Sequence, residues 1–144
     1  MIRLVRPVEP FFERSVSYGM SFGLSHAGYD VRIAQSLNLM PGEFKLASTV
    51  ERFKMPNNLV GFVHDKSSWA RRGLSLFNTV IEPGWEGYLT LELVNHSQRV
   101  IGISAEMPIA QIIFMQTAAP VEFPYRGKYQ HQETGPQEAR EEKS

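Results

Sequence analysis

Two glutamates, Glu82 and Glu92, are the residues best suited by type and context to do chemistry; both lie in IEPGWEGYLTLELVN (81–95). Residues 88–94 read as a strand, and Glu92 sits there between Leu91 and Leu93. A carboxylate inside an apolar strand is either a paired structural charge or a group tuned for acid–base work. Glu82 has a different setting. Pro83, Gly84 and Gly87 make the start of this stretch a turn or hairpin tip. Trp85 at that tip offers a flat apolar wall for a sugar or base. The competing reading is a core tryptophan beside an exposed Glu82.

Three further segments carry polar groups in suggestive order. In DKSSWARRG (65–73), Ser67 and Ser68 open a helical turn beside Lys66. Free N–H groups at a helix start, a lysine point charge and the fork of Arg71 or Arg72 form a plausible phosphate cradle. An ordinary capped helix with solvated cations is the simpler reading. In HAGYDVR (26–32), Asp30 reads as a turn residue capping local donors. In MPIAQIIF (107–114), Gln111 interrupts an apolar strand, so its amide is either satisfied by partners or turned outward.

The elements that must position these residues are mostly strands. Apolar or alternating runs at 28–34, 43–50, 59–63, 74–77, 87–95, 100–104 and 109–115 are separated by Pro-, Gly- and Asn-containing turns. Short strands at this spacing predict an all-β sandwich, jelly roll or barrel. One short helix is expected over 67–72, with Ser67 or Ser68 as its cap and Gly73 as its stop. Residues 1–124 read as one β domain and 125–144 as a tail. Within the tail, 125–136 holds Tyr125, Lys128, Tyr129 and Gln132 and can fold over a ligand, whereas 137–144 has a disordered composition.

Bulk composition narrows the function. The 144 residues suffice for one domain with its own core, and 42% hydrophobic with 21% charged residues is typical of soluble globular proteins. No apolar run reaches membrane-spanning length, and the N-terminus lacks a signal-peptide core, so no membrane partner is expected. The chain has no cysteine, which excludes thiol chemistry and fits a reducing cytoplasm. With four scattered histidines and no Cys-x-x-Cys, a zinc site is not expected. Zero net charge argues against nucleic acid as a partner; an anionic ligand must be held by local arrangement.

Taken in order, SYGMSFGLSHAGYDVRIA (17–34), DKSSWARRG, NTVIEPGWEGYLTLELVN (78–95), MPIAQIIF and KYQHQETGP (128–136) closely resemble the dCTP deaminase family of the dUTPase-like superfamily. The resemblance covers about 15–136. It implies a distorted all-β jelly roll, a homotrimer with sites at subunit interfaces, and zinc-independent hydrolysis of dCTP to dUTP and ammonia. Glu92 matches the catalytic glutamate that takes a proton from water attacking C4 and passes protons to N3 and the departing amine. Ser67 and Arg71 match the residues that position this water. Lys66 and Ser68 match the phosphate-contacting pair, and Trp69 and Ala70 belong to the same substrate-binding segment. Glu82 matches the acidic group near the deoxyribose 3′-hydroxyl, and Trp85 the aromatic of the sugar pocket. Thr90 and Leu91 match the base-contacting stretch, largely through backbone groups. Gln111, Tyr125, Lys128 and Gln132 match residues that close on base and triphosphate. The resemblance also implies Mg²⁺ carried by the triphosphate and raises dTTP as an inhibitor.

Two departures stand out. Lys66 occupies a position where many relatives have arginine. Only QSLNL (35–39) bridges Ala34 and Met40, where many relatives carry a long insertion, so the chain is nearer a dUTPase in size. A dUTPase, or a bifunctional enzyme taking dCTP to dUMP, is the first alternative. Against it, dUTPases normally have Asp where this chain has Glu82, an apolar residue at Glu92, and a Gly-rich C-terminal motif that is missing here. A non-catalytic nucleotide sensor is the second alternative; it would not require Ser67, Arg71 and Glu92 together.

Overall fold

Alternation of inward apolar and outward polar side chains builds sheets in the computed structural model, which describes residues 1–142. The chain begins with α1 (Ile2–Val5), β1 (Val8–Glu9), β2 (Ser15–Ser17), β3 (Met20–Leu24) and β4 (Tyr29–Arg32). It continues through β5 (Leu37–Leu39), β6 (Phe44–Lys54), β7 (Leu59–Asp65) and α2 (Ser67–Ala70). Then come β8 (Leu74–Leu76), β9 (Val80–Ile81), β10 (Glu86–Asn95), β11 (Ile101–Ile103) and β12 (Pro108–Gln116). The architecture is all-β, as the sequence predicts.

One sheet has the order β1-β6-β10-β8 and a larger one β2-β3-β4-β12-β7-β9, with a β11-β5 pair beside them. Every strand pairing is antiparallel. The core is shared between the sheets: Tyr29, Val31 and Ile112 from the larger sheet join Ala47, Phe53, Leu91 and Leu93 from the smaller one, all fully buried. Each buried leucine contributes about 1.5–3 kcal/mol relative to exposure, so the faces of β10 are strongly specified.

The expected long strands form, with ends shifted by a few residues. The short strands β1, β2, β3, β5 and β9 are additions, none longer than five residues. QSLNL is more than a bridge: it contains β5, whose Leu39 is buried. Residues 82–85 form a tight turn in which Trp85 N–H donates to the Glu82 carbonyl at 3.1 Å, with Gly84 at φ 86°. This turn is not a hairpin tip. It carries the chain from β9, paired with β7, to β10, paired with β6 in the other sheet.

The helix differs from expectation. It spans only Ser67–Ala70, its N-cap is Lys66, and no side chain caps it. Trp69 anchors it instead: the indole is buried and Nε1–H donates to the Pro108 carbonyl at 2.7 Å. Gly73, at φ 92°, lies just beyond the turn, where the chain bends toward β8.

Candidate active site

A bulge between Tyr88 and Thr90 in the β10–β6 pairing sets the faces of the strand that follows. Beyond it, Leu91 and Leu93 point into the core, so Thr90 and Glu92 face the opposite way, into a cleft of about 480 Å³. Leu46 lies directly across the strand pair from Glu92, and Phe44 and Val80 also line the cleft. Burial among these groups raises the proton affinity of the Glu92 carboxyl above the ordinary carboxylate value. Among the described residues, no cation or hydrogen-bond donor offsets this effect on the carboxylate. Of the two roles open to a carboxylate in an apolar strand, the paired structural charge is therefore not the one seen.

The backbone of Glu92 is held tightly. Phe77 N–H donates to the Glu92 carbonyl at 2.9 Å, and Glu92 N–H donates to Asn78 Oδ1 at 3.0 Å. Asn78 Nδ2 in turn donates to the Thr90 carbonyl at 2.6 Å. Asn78 lines the cleft and was missed by sequence reasoning. Its signal was an amide two residues beyond the end of a strand, which is ordinary loop chemistry without knowledge of the neighbouring strand.

The opposite wall is built by the 82–85 turn and the tail. Glu82 is exposed at the cleft edge; Trp85 is buried, packs against Phe53 at 6.0 Å between ring centroids, and still contributes to the lining. Both readings of Trp85 therefore hold in part: it is a core residue with one surface in the cleft. The tail is strapped across this region. Trp85 Nε1–H donates to the Tyr129 carbonyl at 2.8 Å, and Tyr125 N–H to the Pro83 carbonyl at 2.9 Å. Gln132 is buried, and its Nε2 donates to the Tyr88 carbonyl at 2.8 Å and to Thr90 Oγ1 at 2.9 Å. Tyr125, Tyr129 and Gln132 all line the cleft. Residues 137–139 also reach it, inside the stretch expected to be disordered; residues 143–144 lie outside the described residues.

The remaining predicted residues lie apart from this cleft. Lys66 is buried, its Nζ 2.8 Å from Asp30 Oδ2 and 3.3 Å from Ser21 Oγ. Asp30 is thus an ion-pair partner of Lys66 rather than a local turn cap. Ser67, Ala70 and Arg71 are exposed around the short helix, with Ser68 partly so. Gln111 is half-buried and donates from Nε2 to Ser25 Oγ at 3.0 Å. It pairs across β12–β4 with Asp30, so it and Lys66 belong to one neighbourhood of the larger sheet. Leu91 offers only its backbone, since its side chain is core. Lys128 lies over the Tyr129 ring at 5.4 Å, with Nζ 3.6 Å from Glu142. Among the described residues lining the cleft there are carboxylates at Glu82, Glu92 and Glu138 but no lysine or arginine.

A family model described as dCTP deaminase-like matches residues 24–117. The chain is 33% identical to the dCTP deaminase of Campylobacter fetus subsp. fetus over 159 aligned positions, covering 88% of this chain and 86% of that one. That span exceeds the 144 residues present here, so the relative carries residues within the match that this chain lacks. Identity to the dCTP deaminase of Methylacidiphilum infernorum is 32%, covering 92% and 90% of the two chains. Among solved structures, native EIAV dUTPase superposes with a TM-score of 0.62 at 21% identity, covering 84% of this chain and 96% of its own. The dUTPase of Staphylococcus aureus phage phi11 gives 0.62 at 16% identity, covering 82% and 91%. At these identities the dUTPases share the fold alone. The family model and the two enzymes that match most of this chain show that the chain belongs to the dCTP deaminase family.

Proposed function

We propose that this protein hydrolyses dCTP to dUTP and ammonia, with Glu92 as the proton-transferring group. The observation that carries this is a carboxylate of raised proton affinity, free of cationic partners among the described residues, facing a cleft. Glu92 takes a proton from the water that adds to C4 of cytosine and delivers it to N3. It then assists transfer of a proton to the amine, which leaves as ammonia. The base lies against the Thr90–Glu92 edge, and the sugar against Trp85 with Glu82 near its 3′-hydroxyl. No zinc takes part. Mg²⁺ would accompany the substrate, held by phosphate oxygens and water, and would partly neutralise the triphosphate.

The triphosphate needs cations that one copy's cleft does not supply among its described lining residues. From a second copy, Lys66 and Ser68 contact the triphosphate, Ser67 and Arg71 position the attacking water, and Gln111 closes on base and triphosphate; a homotrimer closes this arrangement into three equivalent sites. The exposed apolar pair Phe44 and Phe77, stacked at 6.2 Å beside the cleft, is a suitable surface for that neighbour to cover. The reaction belongs to cytoplasmic pyrimidine deoxynucleotide metabolism, which agrees with a chain lacking cysteine.

Incubation with Mg²⁺ and dCTP should release ammonia and dUTP; pyrophosphate from dUTP in parallel would reveal a dUTPase branch, and binding without turnover would leave a sensor. Site sharing is tested by mixing two variants that are each inactive, Glu92→Gln and Arg71→Ala. Co-assembled trimers should regain about a quarter of parental activity if each site draws on two copies. No recovery would rule sharing out.

Residues 125–136 are proposed to close over the nucleotide. Gly87, at φ 148°, pairs with Gln132, and a Cβ there would lie 2.6 Å from the Gln132 backbone nitrogen. Gly87→Ala should therefore displace the strap and weaken dUTP binding about tenfold, the equivalent of one or two hydrogen bonds. Calorimetric titration checks this; unchanged affinity would show that the strap does not hold ligand.

A further inference from the structure

Segment 77–79 leaves the β8–β10 ladder and crosses to the other sheet, where β9 pairs with β7. The crossing opens the cleft, and it also strips the β10 edge of main-chain partners where the chemistry is proposed. β8 pairs with β10 only as far as Leu76 opposite Leu93, after which Phe77 N–H reaches the Glu92 carbonyl. Beyond that point the side chain of Asn78 takes over from the backbone. Its amide presents an acceptor to Glu92 N–H and a donor to the Thr90 carbonyl, at 3.0 and 2.6 Å. A side-chain amide carries the same donor and acceptor pair as a peptide group, so it can stand in for a missing strand residue. Both bonds together also fix which way the amide lies, because a flipped amide would set oxygen against oxygen and N–H against N–H.

We infer that Asn78 is a positioning residue for the deamination: it locks the backbone on either side of Leu91 and so sets the aim of the Glu92 carboxylate. The assignment rests on the functional reading above and adds to it. Glu92 has no hydrogen bond from its carboxylate to fix its direction among the described residues, so its aim depends on its backbone and rotamer. Thr90 is held from two sides, by Asn78 at its carbonyl and by Gln132 at its hydroxyl. A substrate base lying against this edge meets a strand that is already rigid, which lowers the ordering cost during reaction.

The test is Asn78→Ala, with Asn78→Asp as the second variant. Alanine removes both bonds while leaving the Glu92 side chain intact. A displacement near 1 Å costs about 100-fold in rate, so kcat for ammonia release should fall by that order while KM for dCTP changes about threefold or less. Aspartate keeps the acceptor for Glu92 N–H but sets a carboxylate oxygen against the Thr90 carbonyl. It should also lose kcat, and its added negative charge should move the acid limb of the kcat–pH profile upward by raising the proton affinity of Glu92. A purely structural role would lower the yield of active protein without this split between kcat and KM and without moving the acid limb. If the parent protein releases no ammonia from dCTP, the functional reading fails and takes this assignment with it. If the parent is active while both variants keep parental kcat and the parental acid limb, the assignment alone is overturned.

Discussion

Glu92→Gln should abolish ammonia release while leaving nucleotide bound. Glutamine preserves the size and trigonal shape of the side chain, so the cleft and the β10 register should remain. It cannot accept a proton from water, and that transfer is worth roughly 10²–10⁴-fold in enzymes of this kind of chemistry. Ammonia release should therefore drop about 10³-fold or more, with dUTP affinity changed about threefold or less. Coupled detection of ammonia, together with calorimetric titration of dUTP, gives both numbers. Normal turnover by this variant would remove Glu92 from the mechanism.

The same residue predicts a pH signature with two opposite faces. The carboxylate must be ionised to take the proton, and burial raises its pKa above 4.5. The acid limb of kcat should therefore lie above the ordinary glutamate range. Stability runs the other way. A carboxyl whose pKa is raised by folding binds its proton more tightly in the native state. Its contribution is fully present below pH 4.5 and is lost as pH rises through the raised value. At neutral pH the ionised Glu92 is thus a burden on the fold, and Glu92→Gln should have a slightly higher Tm than the parent there but not at pH 4. Losing activity and gaining stability from one substitution is the mark of a residue kept for chemistry.

Glu92 was legible because the two leucines beside it obey strand alternation, and alternation alone sends the carboxylate to the face opposite the core. The β-rich class was legible from short apolar runs between turns. What escaped detection depended on partners distant in sequence. Asp30 looked like a local turn residue because the lysine it neutralises lies at position 66, brought near only by the sheet. The 82–85 turn has hairpin residues, yet its two flanking strands belong to different sheets, β9 beside β7 and β10 beside β6, partners distant in sequence. Trp85 fitted either a core or a pocket because it serves both, and the tail that covers it begins about 40 residues later. The serines of α2 suggested caps, but the anchoring of Trp69 under Pro108 held this four-residue turn without them.

The largest loss of stability should come from Arg32→Met. Glu51 is fully buried on β6, and Arg32 meets it with Nε at 3.0 Å and with its backbone N–H at 3.0 and 3.1 Å to the two carboxylate oxygens. The guanidinium also lies over the rings of Phe12 and Phe22, at 5.1 and 4.8 Å, so this pair ties β4 to β6 and to the N-terminal segment. Methionine keeps much of the apolar stem and leaves the carboxylate without its cation. Removing one partner of a buried ion pair costs roughly 3–5 kcal/mol, which for a domain of this size is about 10 °C in Tm at matched protein concentration. Burial already outweighs the arginine in the parent, holding the Glu51 pKa above 4.5. Deleting the cation raises it further. The native variant then binds a proton over a wider pH range than the unfolded chain, so its deficit is greatest at neutral pH and shrinks as pH falls toward 5. Thermal unfolding of parent and variant at pH 5 and pH 7 checks the sign. A deficit that stayed constant or grew on acidification would mean that Glu51 is not the group left uncompensated.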